Sequence, residues 1–294
     1  MKMTNPLRYP GGKYFLVDYV AKVLEVHDLT GCIFVEPYAG SAAISLEMLA
    51  RDLVNKIVLL ERDPLIYSFW KAVVESPDEL CREIDRLDIS LETWHRLAPL
   101  REVQSPLEYP PLVLGVAGLF FNRTNYSGIL KANPIGGLQQ NSRYTIDCRF
   151  PKERVKSHIM FIAQRREQIT VKWGDAVRFL KEHQTTMENQ RCFAYIDPPY
   201  YEKGKSLYRY YYLDDDHRAL ANLLKISSFP WLASYDDHPF IIDLYLGQAH
   251  SYWMQRLYLD YTAQNRKRGS ELLLSNVQIP PVAQPPQAAR PQLA

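Results

Sequence analysis

Cys192-Phe193-Ala194-Tyr195-Ile196-Asp197-Pro198-Pro199-Tyr200 is the stretch that decides the fold. Five apolar residues in a row, rich in aromatic and branched side chains, read as a strand buried on both faces, as in a parallel sheet. The run stops at an acid, two prolines and an aromatic. Proline has a fixed φ and no N–H, so the turn is stiff and presents carbonyls without a competing donor. An Asp197 carboxylate oxygen and the Pro198 carbonyl can both accept from an NH2 group, drawing its lone pair out of conjugation. Tyr200 offers a face on which a base can stack. These features suit the methylation of an exocyclic amine. The plain alternative is a Pro-Pro turn after a strand.

Outward from this turn the chain alternates. Ile33 to Val35 reads as a strand, followed by Glu36-Pro37-Tyr38-Ala39-Gly40-Ser41 and a helix over Ala42 to Leu53. Lys56 to Leu60 is a second strand, ending at Glu61. Ile169 to Trp173 is a third, with a helix over Asp175 to Glu182. Trp231 to Tyr235, Tyr252 to Leu257 and Glu271 to Ser275 complete the set. Strands alternating with helices predict an α/β fold: a doubly wound, mostly parallel, Rossmann-like sheet with helices on both faces. From Ser76 to Gln164 the alternation is lost. Helical runs at Pro77 to Leu87 and Leu112 to Phe121, followed by Asn122 to Asn141, predict an inserted, largely helical module with a hairpin or loop of its own. The expected organisation is therefore 1–75 and 165–279 as one α/β domain, 76–164 as the insert, and 280–294 as a disordered, Pro-rich tail.

The acids at the strand ends define a candidate cleft. Gly40 lets backbone approach a ligand near a helix start. Glu61, about 20 residues further on, stands where doubly wound nucleotide sites hold ribose hydroxyls. Asp175 follows the third strand and suits either an adenine amine or a helix N-cap. At the N-terminus, Arg8-Tyr9-Pro10-Gly11-Gly12-Lys13 precedes a helical run and reads as a ligand cradle or a plain capped loop.

Composition narrows the classes. The net charge is +2, so the chain is no basic nucleic-acid coat, but Arg149, Lys152, Arg154, Lys156, Arg165 and Arg166 concentrate cations in one stretch and Arg266-Lys267-Arg268 form a knot. Such patches suit a phosphate backbone or a solvated helix face. Cys32, Cys81, Cys148 and Cys192 are far apart and the seven histidines lack ligand spacing, so neither a disulfide framework nor a metal site is expected. A reducing cytoplasm is the expected compartment, with no membrane association.

Taken in order, these pieces resemble the Dam-type family of DNA adenine-N6 methyltransferases. Its opening motif resembles Arg8 to Lys13, its cofactor turn Phe34 to Gly40, its DNA hairpin Asn122 to Ile129 and its catalytic turn Asp197 to Tyr200. Ser234-Tyr235-Asp236 and Arg268-Gly269-Ser270-Glu271-Leu272-Leu273 fit its C-terminal pattern. The resemblance, from Asn5 to about Asn276, implies S-adenosylmethionine as cofactor and S-adenosylhomocysteine as product. It implies catalytic roles for Asp197, Pro198, Pro199 and Tyr200. Cofactor contacts would fall on Tyr9, Lys13, Glu61 and Asp197, with Glu36, Pro37, Gly40 and Asp175 beside them. DNA contacts would fall on Arg123, Tyr126, Ser127, Ile129, Lys131 and Arg149. It further implies double-stranded DNA as partner, a flipped-out target adenine, a monomeric chain and, as a second candidate partner, a cognate restriction endonuclease. Ala42 stands where a second glycine is usual, Tyr9 where tryptophan is common, and Ser127 and Lys131 depart from GATC-reading members. Two other readings stay open: an amine methyltransferase acting on RNA or protein, and a catalytically silent DNA-binding relative.

Overall fold

A computed structural model describes residues 5–8, 12–246, 252–260 and 268–281. Seven strands, β1 (Cys32–Glu36), β2 (Val54–Glu61), β3 (Ile169–Trp173), β4 (Cys192–Ile196), β5 (Trp231–Asp236), β6 (Trp253–Asp260) and β7 (Arg268–Ser275), form one sheet. Their spatial order is β3-β2-β1-β4-β5-β7-β6. Strands β1 to β5 are parallel, whereas β7 runs antiparallel between β5 and β6. The chain winds outward from β1 through β2 to β3, then restarts on the other side at β4. The carboxyl ends of β1 and β4 thus flank the switch point at which open α/β sheets bind ligands.

The sheet is buried on both faces because successive strand side chains point to opposite sides. Phe34, Leu59, Phe193 and Tyr195 enter one core; Val35, Leu60, Ala194 and Ile196 enter the other. Helices cover both. The first five are α1 (Val17–Val26), α2 (Ala43–Ala50), α3 (Pro64–Glu75), α4 (Pro77–Arg86) and α5 (Leu91–Leu97). The next are α6 (Pro111–Thr124), α7 (Lys152–Ala163), α8 (Ala176–Asn189), the short α9 (Gly204–Leu207), α10 (Asp214–Ile226) and α11 (Pro239–Tyr245). Helix α3 begins where it does because Pro64 occupies its first turn and the Asp63 carboxylate accepts from Leu65 N–H at 2.9 Å. Asp175 caps α8 by accepting from Arg178 N–H at 3.0 Å.

Several boundaries differ from expectation. Helix α2 stops at Ala50 rather than Leu53, because Asp52 turns into the left-handed region (φ 55°) and frees Leu53 to enter β2. Helix α8 runs seven residues past Glu182, to Asn189, with no glycine or proline on the way to stop it. The expected hairpin at Asn122 to Ile129 is not a strand pair. Asn122 to Thr124 finish α6, Tyr126–Gly128 form a 3-10 turn, and one isolated bridge joins Asn125 to Pro134. The reason is local: Ser127 and Gly128 both take positive φ, which coils the chain instead of extending it. Leu80, Phe120, Phe121, Val155 and Ile159 join the same apolar cluster as Phe34 and Ile57 of the sheet. The expected tail lies outside the described residues from position 282 onward.

Helix α6 reaches that core through a glycine seam. A Cβ on Gly118 would stand 2.5 Å from the Leu65 carbonyl oxygen, and one on Gly115 would stand 2.8 Å from that of Ser68. Both obstacles are backbone of α3 and cannot turn aside. Gly118→Ala is therefore expected to destabilise the protein by about 1–3 kcal/mol through helix displacement, despite alanine's better helix propensity. Urea denaturation checks this; an unchanged or higher midpoint would show that the helices are not held at that distance.

Candidate active site

Each element of the switch point brings one polar group to the same cleft. At the end of β1, Glu36 is buried and its Oε2 accepts from both the N–H and the hydroxyl of Ser45 at the start of α2. The Pro37–Gly40 turn follows. Gly40 N–H donates to Glu61 Oε2 at 2.9 Å, and its carbonyl accepts from Trp70 Nε1 at 2.8 Å. The turn is thereby fixed to the end of β2 and to α3. Ala42 closes it with φ 50°, a conformation in which alanine is strained and glycine is not. This is the physical content of the alanine-for-glycine departure. Glu61 Oε1 also accepts from Asp63 N–H at 2.8 Å. Each Glu61 oxygen thus takes one backbone donor and keeps lone-pair capacity for a ligand. Asp63 forms a buried ion pair with Arg209 at 3.0 Å, and Asp175 meets Arg62 at 3.2 Å.

The Asp197–Tyr200 turn is held from four sides. Lys13 Nζ donates to Asp197 Oδ1 at 2.6 Å and to the Tyr200 hydroxyl at 3.2 Å, and stands over the Tyr200 ring at 4.6 Å from its centroid. Ser234 of β5, itself bonded to the Tyr195 hydroxyl at 2.8 Å, donates to the same Oδ1 at 3.0 Å. The Tyr200 hydroxyl donates to Glu271 Oε1 at 2.9 Å. Asp236, at the end of β5, accepts from Tyr201 N–H at 2.9 Å and Glu202 N–H at 3.0 Å, pinning the chain just past the turn.

Together these groups line one cleft, walled by Lys13, Glu36, Pro37, Gly40, Glu61, Asp175, Asp197 and Pro199 together with Tyr38, Tyr208, Tyr210 and Tyr212. Of the cofactor candidates, only Tyr9 lies outside the described residues.

Burial sets the protonation of the cleft. It pushes Glu36 up to about 8, Glu61 to about 7 and Glu271 to about 7, against the hydrogen bonds and, for Glu271, the Lys13 charge that oppose it. Burial also disfavours the Lys13 ammonium, but the Asp197 and Glu271 carboxylates outweigh it and hold Lys13 above the ordinary lysine value.

The DNA-contact candidates divide. Tyr126 is 68% exposed at the tip of the 3-10 turn, and Ser127 is exposed beside it. Ile129 is half-buried, with its carbonyl accepting from Asn125 at 3.2 Å. Arg123 faces inward: its guanidinium donates to the carbonyls of Pro6 at 2.7 Å and of Arg149 at 3.4 Å, and burial, then Arg8 and Arg154, lower it to about 10. The Arg149 side chain is exposed. Lys131 docks its ammonium on the carbonyls of Lys205 and Tyr208, downstream of the Asp197–Tyr200 turn. Within the basic stretch, Lys152 and Lys156 turn to Asp85, and Arg165 to Asp52. Arg266 and Lys267 lie outside the described residues. Among those described, no group of three acidic, histidine or cysteine side chains is placed to hold a metal ion, and no helix is long and apolar enough to cross a membrane.

The roles of Ser234, Asp236, Arg209 and Glu271 escaped the sequence reading. Glu271 left one usable signal: it is the acid that opens the otherwise apolar run of β7, and a charge in such a place is costly unless paired.

A doubly wound sheet whose switch point gathers a carboxylate-lined cleft and a rigid Asp-Pro-Pro-Tyr turn is the architecture of a methyltransferase acting on an amine. The family model described as D12 class N6 adenine-specific DNA methyltransferase matches residues 9–258, most of the chain, and the chain belongs to that family. A comparison with curated proteins found no match.

The raised carboxyl values carry a sign. A group whose folded pKa exceeds its unfolded one contributes stability that is complete below the unfolded value and is lost as pH rises through the folded value. For Glu36 that window runs from its ordinary value of 4.5 to about 8. The protein alone should thus melt at lower temperature at about pH 8 than at about pH 5, and Glu36→Gln should recover part of the loss only at the higher pH. Thermal unfolding of both proteins across this range checks it; equal shifts at every pH would remove Glu36 as the cause.

Proposed function

We propose that this adenine-specific DNA methyltransferase uses S-adenosylmethionine and acts on an adenine turned out of the duplex. The observation that carries the reading is that Asp197 lines the same cleft as Glu61 and Gly40 while Lys13 and Ser234 hold its Oδ1. No donor among the described residues reaches Oδ2, so that oxygen is assigned to the incoming amine. The donor set fits the cofactor: Glu61 accepts from vicinal ribose hydroxyls, Asp175 from an adenine amine, the Gly40 turn admits close backbone approach, and Glu36 and Pro37 shape the floor. When bound, S-adenosylmethionine supplies the electrophilic methyl group, and S-adenosylhomocysteine is the product.

The protein's contribution is position and polarity. Asp197 Oδ2 and the Pro198 carbonyl accept from the amine, Pro199 keeps the turn stiff, and Tyr200 offers its ring to the base. An adenine inside a duplex cannot reach these groups, so it is flipped out. Residues 76–164 form the target-recognition segment of this reading, with Tyr126, Ser127 and Ile129 directed at bases and Arg149 at phosphate. Arg123 and Lys131 act there through their carbonyl contacts, Arg123 by fixing the segment to Pro6 and Lys131 by tying it to the catalytic side.

Asp197→Ala is expected to lower methyl transfer at least about 100-fold, because it removes the acceptor that orients and polarises the amine. Transfer of labelled methyl into a randomised duplex pool measures the rate and, on sequencing, the base and site; near-normal turnover would refute the assigned mechanism. Glu61→Ala should weaken cofactor binding about tenfold or more, as expected for a lost charge-assisted hydrogen bond, while DNA affinity stays close to normal. Calorimetry with cofactor and with duplex separates the two, and an unaltered cofactor affinity would take Glu61 out of the site.

A further inference from the structure

N6 methylation leaves one proton too many. The amine nitrogen gains a bond to carbon while still carrying both hydrogens, so one N–H must break afterwards. With Asp197 as the amine's acceptor, a reading taken from the function proposed above, its carboxylate is the first base that proton meets.

From Asp197 a continuous chain of hydrogen bonds leads away from the cleft. Lys13 Nζ donates to Asp197 Oδ1 at 2.6 Å and to the Tyr200 hydroxyl at 3.2 Å; that hydroxyl donates to Glu271 Oε1 at 2.9 Å. Every donor in the chain points toward an acceptor that can take its hydrogen. Lys13 and Glu271 are buried, both at most 4% exposed, whereas Asp197 and Tyr200 are half-buried at the cleft. Glu271 also carries spare capacity: its Oε2 has no hydrogen-bond partner among the described residues and lies 3.9 Å from Lys13 Nζ. The other buried cleft carboxylates are committed elsewhere, Glu36 to Ser45, Glu61 to Gly40 and Asp63, and Asp63 to Arg209. The reach of β7 explains how Glu271 arrives. It pairs with Asp236 across β5, and being antiparallel it brings its first residues, not its last, to the cleft.

We propose that Lys13, Tyr200 and Glu271 form a proton relay in which Glu271 takes up the hydrogen released from the methylated amine. In the first step the N–H bond of the amine breaks and an O–H bond forms on Asp197 Oδ2, and a half-turn of the carboxyl about Cβ–Cγ brings that O–H to the side of Lys13. Then the Tyr200 O–H proton passes to Glu271 Oε1, a Lys13 N–H proton passes to the Tyr200 oxygen, and the Asp197 proton passes to the Lys13 nitrogen. Asp197 ends as carboxylate, Lys13 as ammonium, Tyr200 as phenol and Glu271 as carboxylic acid, which returns its proton to water before the next turnover. Glu271 acts through Tyr200 and Lys13 and does not touch the base; it is a positioning residue for the proton.

The electrostatics agree. The titratable groups facing Glu271 are Lys13 from the N-terminal segment, Tyr195 and Asp197 from β4 and its turn, Tyr200 and Tyr208 beyond it, and Asp236 from β5. Burial outweighs Lys13 and holds the Glu271 carboxyl at about 7, where it accepts a proton near neutrality without keeping it. Below that value it is already protonated and cannot accept.

Single-turnover methyl transfer at saturating cofactor and DNA, followed across pH, tests the relay. In the wild type the rate should rise as pH passes through about 7. Glu271→Gln should be slowed about tenfold or more and lose that rise, with melting temperature and both binding constants close to wild type. Tyr200→Phe, which keeps the ring but cuts the path, should show the same flattened profile, and Glu271→Asp should restore part of both rate and profile. Carbon-13 titration of the carboxyl groups in the protein alone should show two signals near 7, from Glu61 and Glu271, of which Glu271→Gln removes one. A wild type that methylates DNA while Glu271→Gln keeps its rate and pH profile overturns the relay and leaves the proposed function standing. A Glu271 signal at the ordinary glutamate value overturns it as well. A wild type that transfers no methyl group overturns both.

Discussion

The site depends on one contact, the buried pair of Lys13 with Asp197. An ammonium in a dry interior is costly unless its hydrogens are accepted by charge, and a carboxylate beside other carboxylates needs a cation. Lys13 answers both needs at once, with Asp197 at 2.6 Å and Glu271 at 3.9 Å. Because Lys13 precedes α1 and its partners lie in the turn after β4 and in β7, the contact joins the N-terminal segment to the turn after β4 and to β7. Removing one partner strands the other, so the pair organises more than its own net energy suggests.

Around that contact the cleft is arranged by acids that would repel one another if all were ionised. Each is tempered differently. Glu36 is held by Ser45, Glu61 by two backbone N–H groups, Asp63 by Arg209, and Glu271 by a tyrosine hydroxyl. The result is a pocket with strong acceptors but little free negative charge near neutrality, which suits a ligand rich in hydroxyl and amino donors.

Much of this could be read from the residues. The β3 and β4 bounds, and the strand-end positions of Glu36, Glu61, Asp175 and Asp197, follow from apolar runs broken by acids. The family itself was legible too, and the family match over residues 9–258 bears it out. The part that was hidden depends on contacts between distant segments. Nothing near Lys13 announces Asp197, and Glu271 lies inside β7 rather than at a strand's carboxyl end, so only the antiparallel pairing of β7 with β5 explains its place. The loop after α6, where the family resemblance implied a hairpin, winds a 3-10 turn because Ser127 and Gly128 take positive φ, which no residue pattern announces. The inward turn of Arg123 was equally invisible: its partners are backbone carbonyls near the N-terminus, which carry no sequence signature.

The glycine seam between α3 and α6 has an engineering consequence. It begins at Leu65, two residues past Asp63 at the rim of the cleft, and α6 ends at the loop that carries Tyr126. Backbone meets backbone along it, with no side chains between to compress or rearrange. A joint of that kind has no play, so the position of the loop is inherited from the cleft with little error. The residues at its tip are then interchangeable parts on a fixed mount, and redesigning them alters what the loop presents without altering where it is presented.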